Sequence, residues 1–236
     1  MLLERGAYLE SAVAYELEFL SSPSDSLLLR KSYAYKAGGN YEKAIRSLER
    51  ISSFDISYEK ALLYFLNDDI EACYNQLLRF SLVDENELTS SYHLLYFMTL
   101  VKKNRFREAR KYLHEAYSFG IERDQLDAVI SDRTKAKNSD YAFNISLWLP
   151  GFGQAYAGYA GRGFVSGLMQ IGGAGLSYYS LINKYYFSGV LTGAALFYTF
   201  YLGGARYAGQ LAERKNLETQ EQILKSLRSE IKKANQ

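Results

Sequence analysis

The chain has 236 residues, with 28 Lys+Arg against 26 Asp+Glu, a formal net charge of +2 that is too small a bias to point to nucleic acid. Its length allows one or two domains, and its single cysteine, Cys73, excludes an intrachain disulfide. The near-neutral total conceals two unlike halves: residues 1–140 carry 19 basic and 22 acidic side chains, residues 141–236 carry 9 and 4, and 14 of the 18 glycines lie between Gly151 and Gly209. A composition change this abrupt marks a boundary near 138–141.

No secretory signal opens the chain, because Glu4 and Arg5 come early and no apolar core follows. From Leu27 apolar residues recur at helical spacing: Leu28, Leu29, Tyr33 and Ala34, then Ala44, Ile45, Leu48 and Ile51. Gly38-Gly39-Asn40 breaks the pattern as a turn between two helices. This helix–turn–helix unit recurs, its second helix opening at GAYLESAV, GGNYEKAI, NDDIEACY and NRFREARK. Ala12, Ala44, Ala72 and Ala109 sit at spacings of 32, 28 and 37, where a small side chain lets two helices approach.

Gly39, Tyr41 and Ala44, with Tyr35 upstream, match the Gly-x-Tyr-x-x-Ala core of the tetratricopeptide repeat, and Phe106, Ala109 and Ala116 repeat the match. Residues 1–120 therefore resemble that family, with a departure at Asp69, where an aromatic is usual. The resemblance implies stacked helix pairs with a concave face for a protein or peptide ligand. By repeat position, Leu29, Tyr33, Lys36, Tyr64, Phe65, Leu94, Met98 and Lys102 belong to that face. The competing reading of each is ordinary core between helices. The chain enters at the turn of the first unit, without that repeat's first helix. Either the unit is a half repeat or the start is incomplete, in which case a signal peptide is missing too.

A helical linker is expected over 121–140. Beyond it, residues 141–205 hold only two charges, Arg162 and Lys184, which leave three uncharged runs of 21: 141–161, 163–183 and 185–205. A membrane helix needs roughly 20 mostly apolar residues. The last two runs, joined at Asn183-Lys184, predict a transmembrane helical hairpin. Tyr178, Tyr179, Tyr185 and Tyr186 cluster at its turn, and Tyr198, Tyr201 and Tyr207 near the other end, where tyrosine suits the membrane–water interface. Gly163-x-x-x-Gly167 and Gly189-x-x-x-Gly193 are small-xxx-small patterns, suited to packing within the hairpin and to homo-oligomers formed through it. Pro150 breaks the first run, so 141–149 is expected to lie in the interface with Trp148 at headgroup level.

Pro150, Gly151, Gly153, Gln154, Tyr156 and Gly158, followed by Arg162-Gly163, resemble the PGxGQxYxG signature of bacterial two-helix membrane domains, including the TM-two domain. That resemblance implies an integral membrane domain without enzyme activity. The glycines lack the Gly-Lys-Ser/Thr of a P-loop and the acidic residue of a dinucleotide site. Residues 206–236 read as a basic amphipathic helical tail, with Leu217, Leu224, Leu227 and Ile231 as a partial seam.

His93 and His114 have no metal-ligand spacing, and no nucleophile–base order is present, so neither enzyme activity, metal nor cofactor is expected. The expectation is an all-α protein: tetratricopeptide-like repeats, a transmembrane hairpin and a tail. Its function is a membrane-anchored scaffold that binds a protein or peptide at the lipid bilayer. The alternative is a hairpin-driven oligomer, a pore or envelope-assembly component. Arg133, Lys135, Lys137, Arg206, Arg214 and Lys215 flank the hairpin on one side against Lys184 at its turn. In a bacterial inner membrane this bias places the termini in the cytoplasm. Relatives with this layout look exported, which places them in the periplasm.

Overall fold

The computed structural model describes residues 6–51, 56–81, 89–116, 120–131, 134–188 and 195–234. Among them every regular element is helical, and the chain divides into two compact units, residues 1–127 with 233–236 and residues 128–232.

In the first unit, α1 (Tyr8–Ser21), α2 (Asp25–Ala37), α3 (Tyr41–Glu49), α4 (Ser57–Leu66), α5 (Ile70–Ser81), α6 (Ser90–Lys102) and α7 (Phe106–Lys111) each pack on the next in chain order. A π turn, Tyr112–Ala116, continues α7. One turn design recurs between them. At the end of α2, Gly39 takes a left-handed φ of 73° while the Asn40 N–H reaches back to the Tyr35 carbonyl at 2.9 Å. Asp68 after α4 and Asn104 after α6 do the same, with Asp69 N–H to Tyr64 and Arg105 N–H to Leu100, each 2.9 Å. This is the six-to-one bond of a Schellman cap, which satisfies the last carbonyls of a helix. After the first two of these turns the next residue also caps the following helix: Asn40 Oδ1 accepts from the Lys43 N–H and Asp69 Oδ1 from the Ala72 N–H.

The recurring turn sets the repeat register. Tyr41, Ile70 and Phe106 each open a helix directly after such a turn. Three residues on stand Ala44, Cys73 and Ala109, all fully buried. The third unit is therefore offset by one from its sequence reading. Cys73, not the half-buried Ala72, holds the close-contact position, and Ile70, not Asp69, the aromatic one. An aspartate in the left-handed position hid the turn. Two apolar clusters follow, one around Leu28, Ala44, Leu48, Ile56 and Leu63, the other around Ala61, Cys73, Leu77, Tyr92 and Leu95.

Between the two stretches, α8 (Arg123–Val129) is helical, but the described residues 134–138 are not, so the expected helical linker is only partly helix. The second unit has α9 (Ser139–Trp148), α10 (Phe152–Tyr156), α11 (Ala160–Ile182), α12 (Tyr186–Ser188) and α13 (Ala195–Ala234). α13 runs unbroken through 205/206, where the sequence reading ends the hairpin and begins the tail. Its inward stripe is Ala208, Leu211, Ala212, Asn216, Gln220, Ile223 and Leu227, whereas Leu217 is 58% exposed. The expected seam of Leu217, Leu224, Leu227 and Ile231 thus meets that stripe at Leu227 but not at Leu217, because 216, 220, 223 and 227 follow the helical period more closely.

Among the described residues no helix is long and apolar enough to cross a membrane. α11 has the length, 23 residues or about 34 Å at about 1.5 Å per residue, but six glycines, Gln170 and several Ser and Tyr lower its hydropathy. Of residues 185–205, expected as one helix, the structure describes 185–188, which include α12, and 195–205, the start of α13.

Candidate functional site

The eight residues placed on the concave face of the first unit do not share one environment. Leu29 and Tyr64 pack against the first apolar cluster, and Phe65 and Met98 (with Tyr64 again) against the second. Leu94 is half-buried. Lys36 is ion-paired with Glu59 at 2.6 Å and lies 5.7 Å from the Tyr33 ring. Lys102 is paired with Asp68 at 2.9 Å and lies over the Phe65 ring at 5.9 Å. Tyr33 alone of the eight is exposed, at 44%. The apolar members thus serve the core with part of their surface, and the accessible chemistry is Tyr33 with two partly screened lysines.

Cys73 is wholly buried, its Sγ 3.3 Å from Thr99 Oγ1, and burial pushes its thiol up to about 11. That places it among inert core thiols. His93 contacts the Tyr112 hydroxyl, and His114 Nε2 lies 3.1 Å from Asp127. Among the described residues no three His, Cys, Asp or Glu side chains converge as metal ligands.

The glycine motif in the second unit is a crossing point. α9 ends with the Leu149 N–H on the Ile145 carbonyl, and Pro150, which has no donor, stops it there. Gly151 turns the chain at φ 87° and lies directly on Gly163: a Cβ at 151 would stand 2.0 Å from the Gly163 carbonyl oxygen, and one at 163 would stand 2.3 Å from that of Gly151. A Cβ at Gly153 would stand 1.9 Å from the Ala142 carbonyl oxygen, and the Gly153 N–H donates to Ser146 Oγ at 3.1 Å. Only glycine permits three such approaches. Gly158 ends α10 at φ 96°, with the Tyr159 N–H on the Gln154 carbonyl, the same cap as in the first unit.

The polar motif residues tie this crossing to other segments. The Tyr156 hydroxyl accepts from the Asn138 N–H at 3.1 Å, and its ring meets Tyr141 edge-on with centroids 4.9 Å apart. Gln154 Nε2 donates to the Gly204 carbonyl in α13 at 3.4 Å. Gly167 faces the Pro150 carbonyl. Among the described residues, Gly163 and Gly167 pack on the 150–151 turn, which folds back over α11. Gly189 and Gly193 lie outside the described residues.

α11 and α13 are joined by contacts the sequence reading did not assemble, although it named Arg162 and Tyr207. Gln170 Nε2 donates to the Phe200 carbonyl at 3.4 Å, Arg162 donates to the Tyr207 hydroxyl, and a Cβ at Gly204 would stand 3.1 Å from Ser166 Oγ. The pairs 170/200, 166/204 and 162/207 run in opposite directions, so the two helices are antiparallel. Gln154 and Gln170 are 2% and 4% exposed, and the Oε1 of each is buried with no hydrogen-bond partner. Further along α13, Asn216 accepts from the Lys137 N–H at 2.7 Å and donates to its carbonyl at 2.8 Å. Tyr159 donates to Glu218, which with Lys215 and Arg214 beside it holds that carboxyl below its ordinary value. The available signal was polar residues inside charge-free runs, which membrane helices use as contacts.

Set against family models, curated proteins and solved structures, the chain matches none.

Proposed function

We propose that the chain is a membrane-anchored helical-repeat scaffold, in which residues 1–120 form tetratricopeptide-like repeats that bind a protein or peptide and residues 141–205 form a hairpin that holds the complex at the bilayer. The observation that carries this reading is the surface of α11. Phe164 is 69% exposed and Ile171 71%, and Val165, Leu168, Met169 and Leu181 are also exposed, an apolar arc of more than half the circumference at about 3.6 residues per turn. Exposed apolar surface that wide needs an apolar environment. Trp148, 86% exposed at the end of α9, and the exposed Tyr178, Tyr185 and Tyr186 at the far end are interface-type residues bracketing that surface. The glycines that lower the hydropathy of α11 are partly spent on the 151/163 crossing. The termini lie on the cytoplasmic side of a bacterial inner membrane, by the charge bias.

For the first unit, the repeated cap-and-turn and the chain-order packing support a stacked-repeat reading, with Tyr33 as its accessible anchor. A photoreactive phenylalanine at Tyr33, compared with one at the exposed Arg46 on α3, tests it. Adducts to a discrete protein from position 33 alone are expected. Equal labelling from both positions would count against the scaffold.

A second reading, a hairpin-driven oligomer, is favoured by Gly172, Gly173 and Gly175, where an added Cβ meets nothing within 4 Å. That open small-residue strip suits a second helix. Gly172→Leu should then lower the native mass in detergent, and an unchanged mass would sink this reading.

A further inference from the structure

The antiparallel α11 and α13 leave a cleft of about 690 Å³ between them, at the end of the pair where Gln154 crosses. Three kinds of surface meet in it. Arg162 is the one charge in α11, and among the described residues no carboxylate lies within ion-pair distance of it. Its guanidinium is held in place by donating to the Tyr207 hydroxyl and by lying 5.6 Å from the Tyr159 ring. Below it the walls are Val165, Met169 and Phe200, all exposed along the same groove. Gln154 forms the floor, with an Oε1 that is buried and has no donor, and Ser166 stands beside it.

We infer that this cleft holds one anionic, hydroxyl-bearing lipid of the phosphatidylglycerol class, its phosphate on Arg162 and its acyl chain along Val165, Met169 and Phe200. A fixed guanidinium without a carboxylate partner is suited to a phosphate oxyanion. The apolar walls continue from that cation along the helix pair, so the ligand is charged at one end and hydrocarbon at the other. The glycerol head supplies what Gln154 lacks. The buried Oε1 of Gln154 lines the cleft, and a buried acceptor without a donor is a cost that a bond from a ligand hydroxyl removes. A choline head has no donor to give and carries a cation toward Arg162, so it is disfavoured on both counts.

The inference rests on the membrane reading only for the source of the lipid, since binding in detergent does not require the hairpin to span a bilayer. The test is native mass spectrometry of the full chain in detergent, with dioleoylphosphatidylglycerol or dioleoylphosphatidylcholine added. A one-to-one phosphatidylglycerol adduct is expected, favoured by about tenfold over phosphatidylcholine and lost by about tenfold in Arg162→Gln. Lys184→Gln, which removes the cation at the other end of α11, should leave it unchanged. Equal retention of the two lipids, an unaffected Arg162→Gln, or equal losses from Arg162→Gln and Lys184→Gln would overturn the assignment. Displacement of the lipid by millimolar inorganic phosphate would also overturn it, because the site would then recognise free phosphate.

Discussion

Replacing Gly151 by alanine should be among the most damaging single changes in the second unit, although it adds one methyl group. Two costs combine. The φ of 87° is one that an L side chain rarely adopts, and holding it there costs about 1–2 kcal/mol. The new Cβ would stand 2.0 Å from the Gly163 oxygen and 2.7 Å from its carbonyl carbon. Both are backbone atoms and cannot swing aside, so the crossing must open, an overpacking cost of about 1–3 kcal/mol. The expected loss is therefore about 2–5 kcal/mol. Gly161→Ala is the internal control: it lies in the same helix as Gly163, meets nothing within 4 Å, and should gain about 0.5–1 kcal/mol from helix propensity. Thermal unfolding of the full chain in one detergent, followed by circular dichroism, should separate the two variants by ten degrees or about that. Gly163→Ala, whose φ lies outside the left-handed region, should carry only the overpacking cost of about 1–3 kcal/mol, and the double variant should cost less than the two losses added, since both open one contact. Equal melting of Gly151→Ala and Gly161→Ala would refute the reading of the motif as a backbone crossing.

Gly39→Ala has open space for its methyl group and only its φ of 73° against it, so it should cost about 1–2 kcal/mol by thermal melting, and Gly39→Asn less. Asn216→Leu removes both bonds to the Lys137 peptide and should cost about 1–3 kcal/mol, with hydrogen exchange of the Lys137 amide accelerated about fivefold or more. With its thiol at about 11, Cys73 should resist a thiol reagent at pH 8 in the native protein and react only on unfolding; fast native labelling would contradict its burial. Glu16 in α1 is held below its ordinary value of 4.5 by the hydrogen bond and charge of Lys31 and, secondarily, by Arg50. A lowered carboxyl contributes stability above its ordinary value and loses it as pH falls through the lowered one. Glu16→Gln should therefore narrow the difference in melting temperature between pH 6 and pH 3, and an unchanged difference would show the pair to be inert.

The helical character of the chain was legible because amphipathic period and turn glycines act locally. Gly38-Gly39-Asn40 announced its turn, whereas Asp68 adopts the same left-handed turn without glycine and so concealed the register of the third unit; Asn104 does so too, but Phe106 and Ala109 kept the fourth unit in register. The glycine motif was visible as a pattern, but its purpose was not: the contacts of Gly151 with Gly163 and of Gly153 with Ala142 depend on a fold-back that spacing alone does not specify. The same holds for the Gly163/Gly167 pair, whose partner is the preceding turn. Gln170, Ser166 and Gly204 form the helix pairing across more than thirty residues of chain, so no local signal marks them. Leu29, Tyr64 and Met98 were placed correctly on helices, yet a side chain between two repeats cannot be assigned to groove or core from period alone.

The central claim, that residues 141–205 lie in the bilayer, is tested most directly by alkaline carbonate extraction of cell membranes followed by blotting for the chain. Retention in the pellet, with release only by detergent, is the predicted result. Release into the carbonate supernatant would contradict it, and would mean that the exposed apolar surface of α11 is covered by protein instead of lipid.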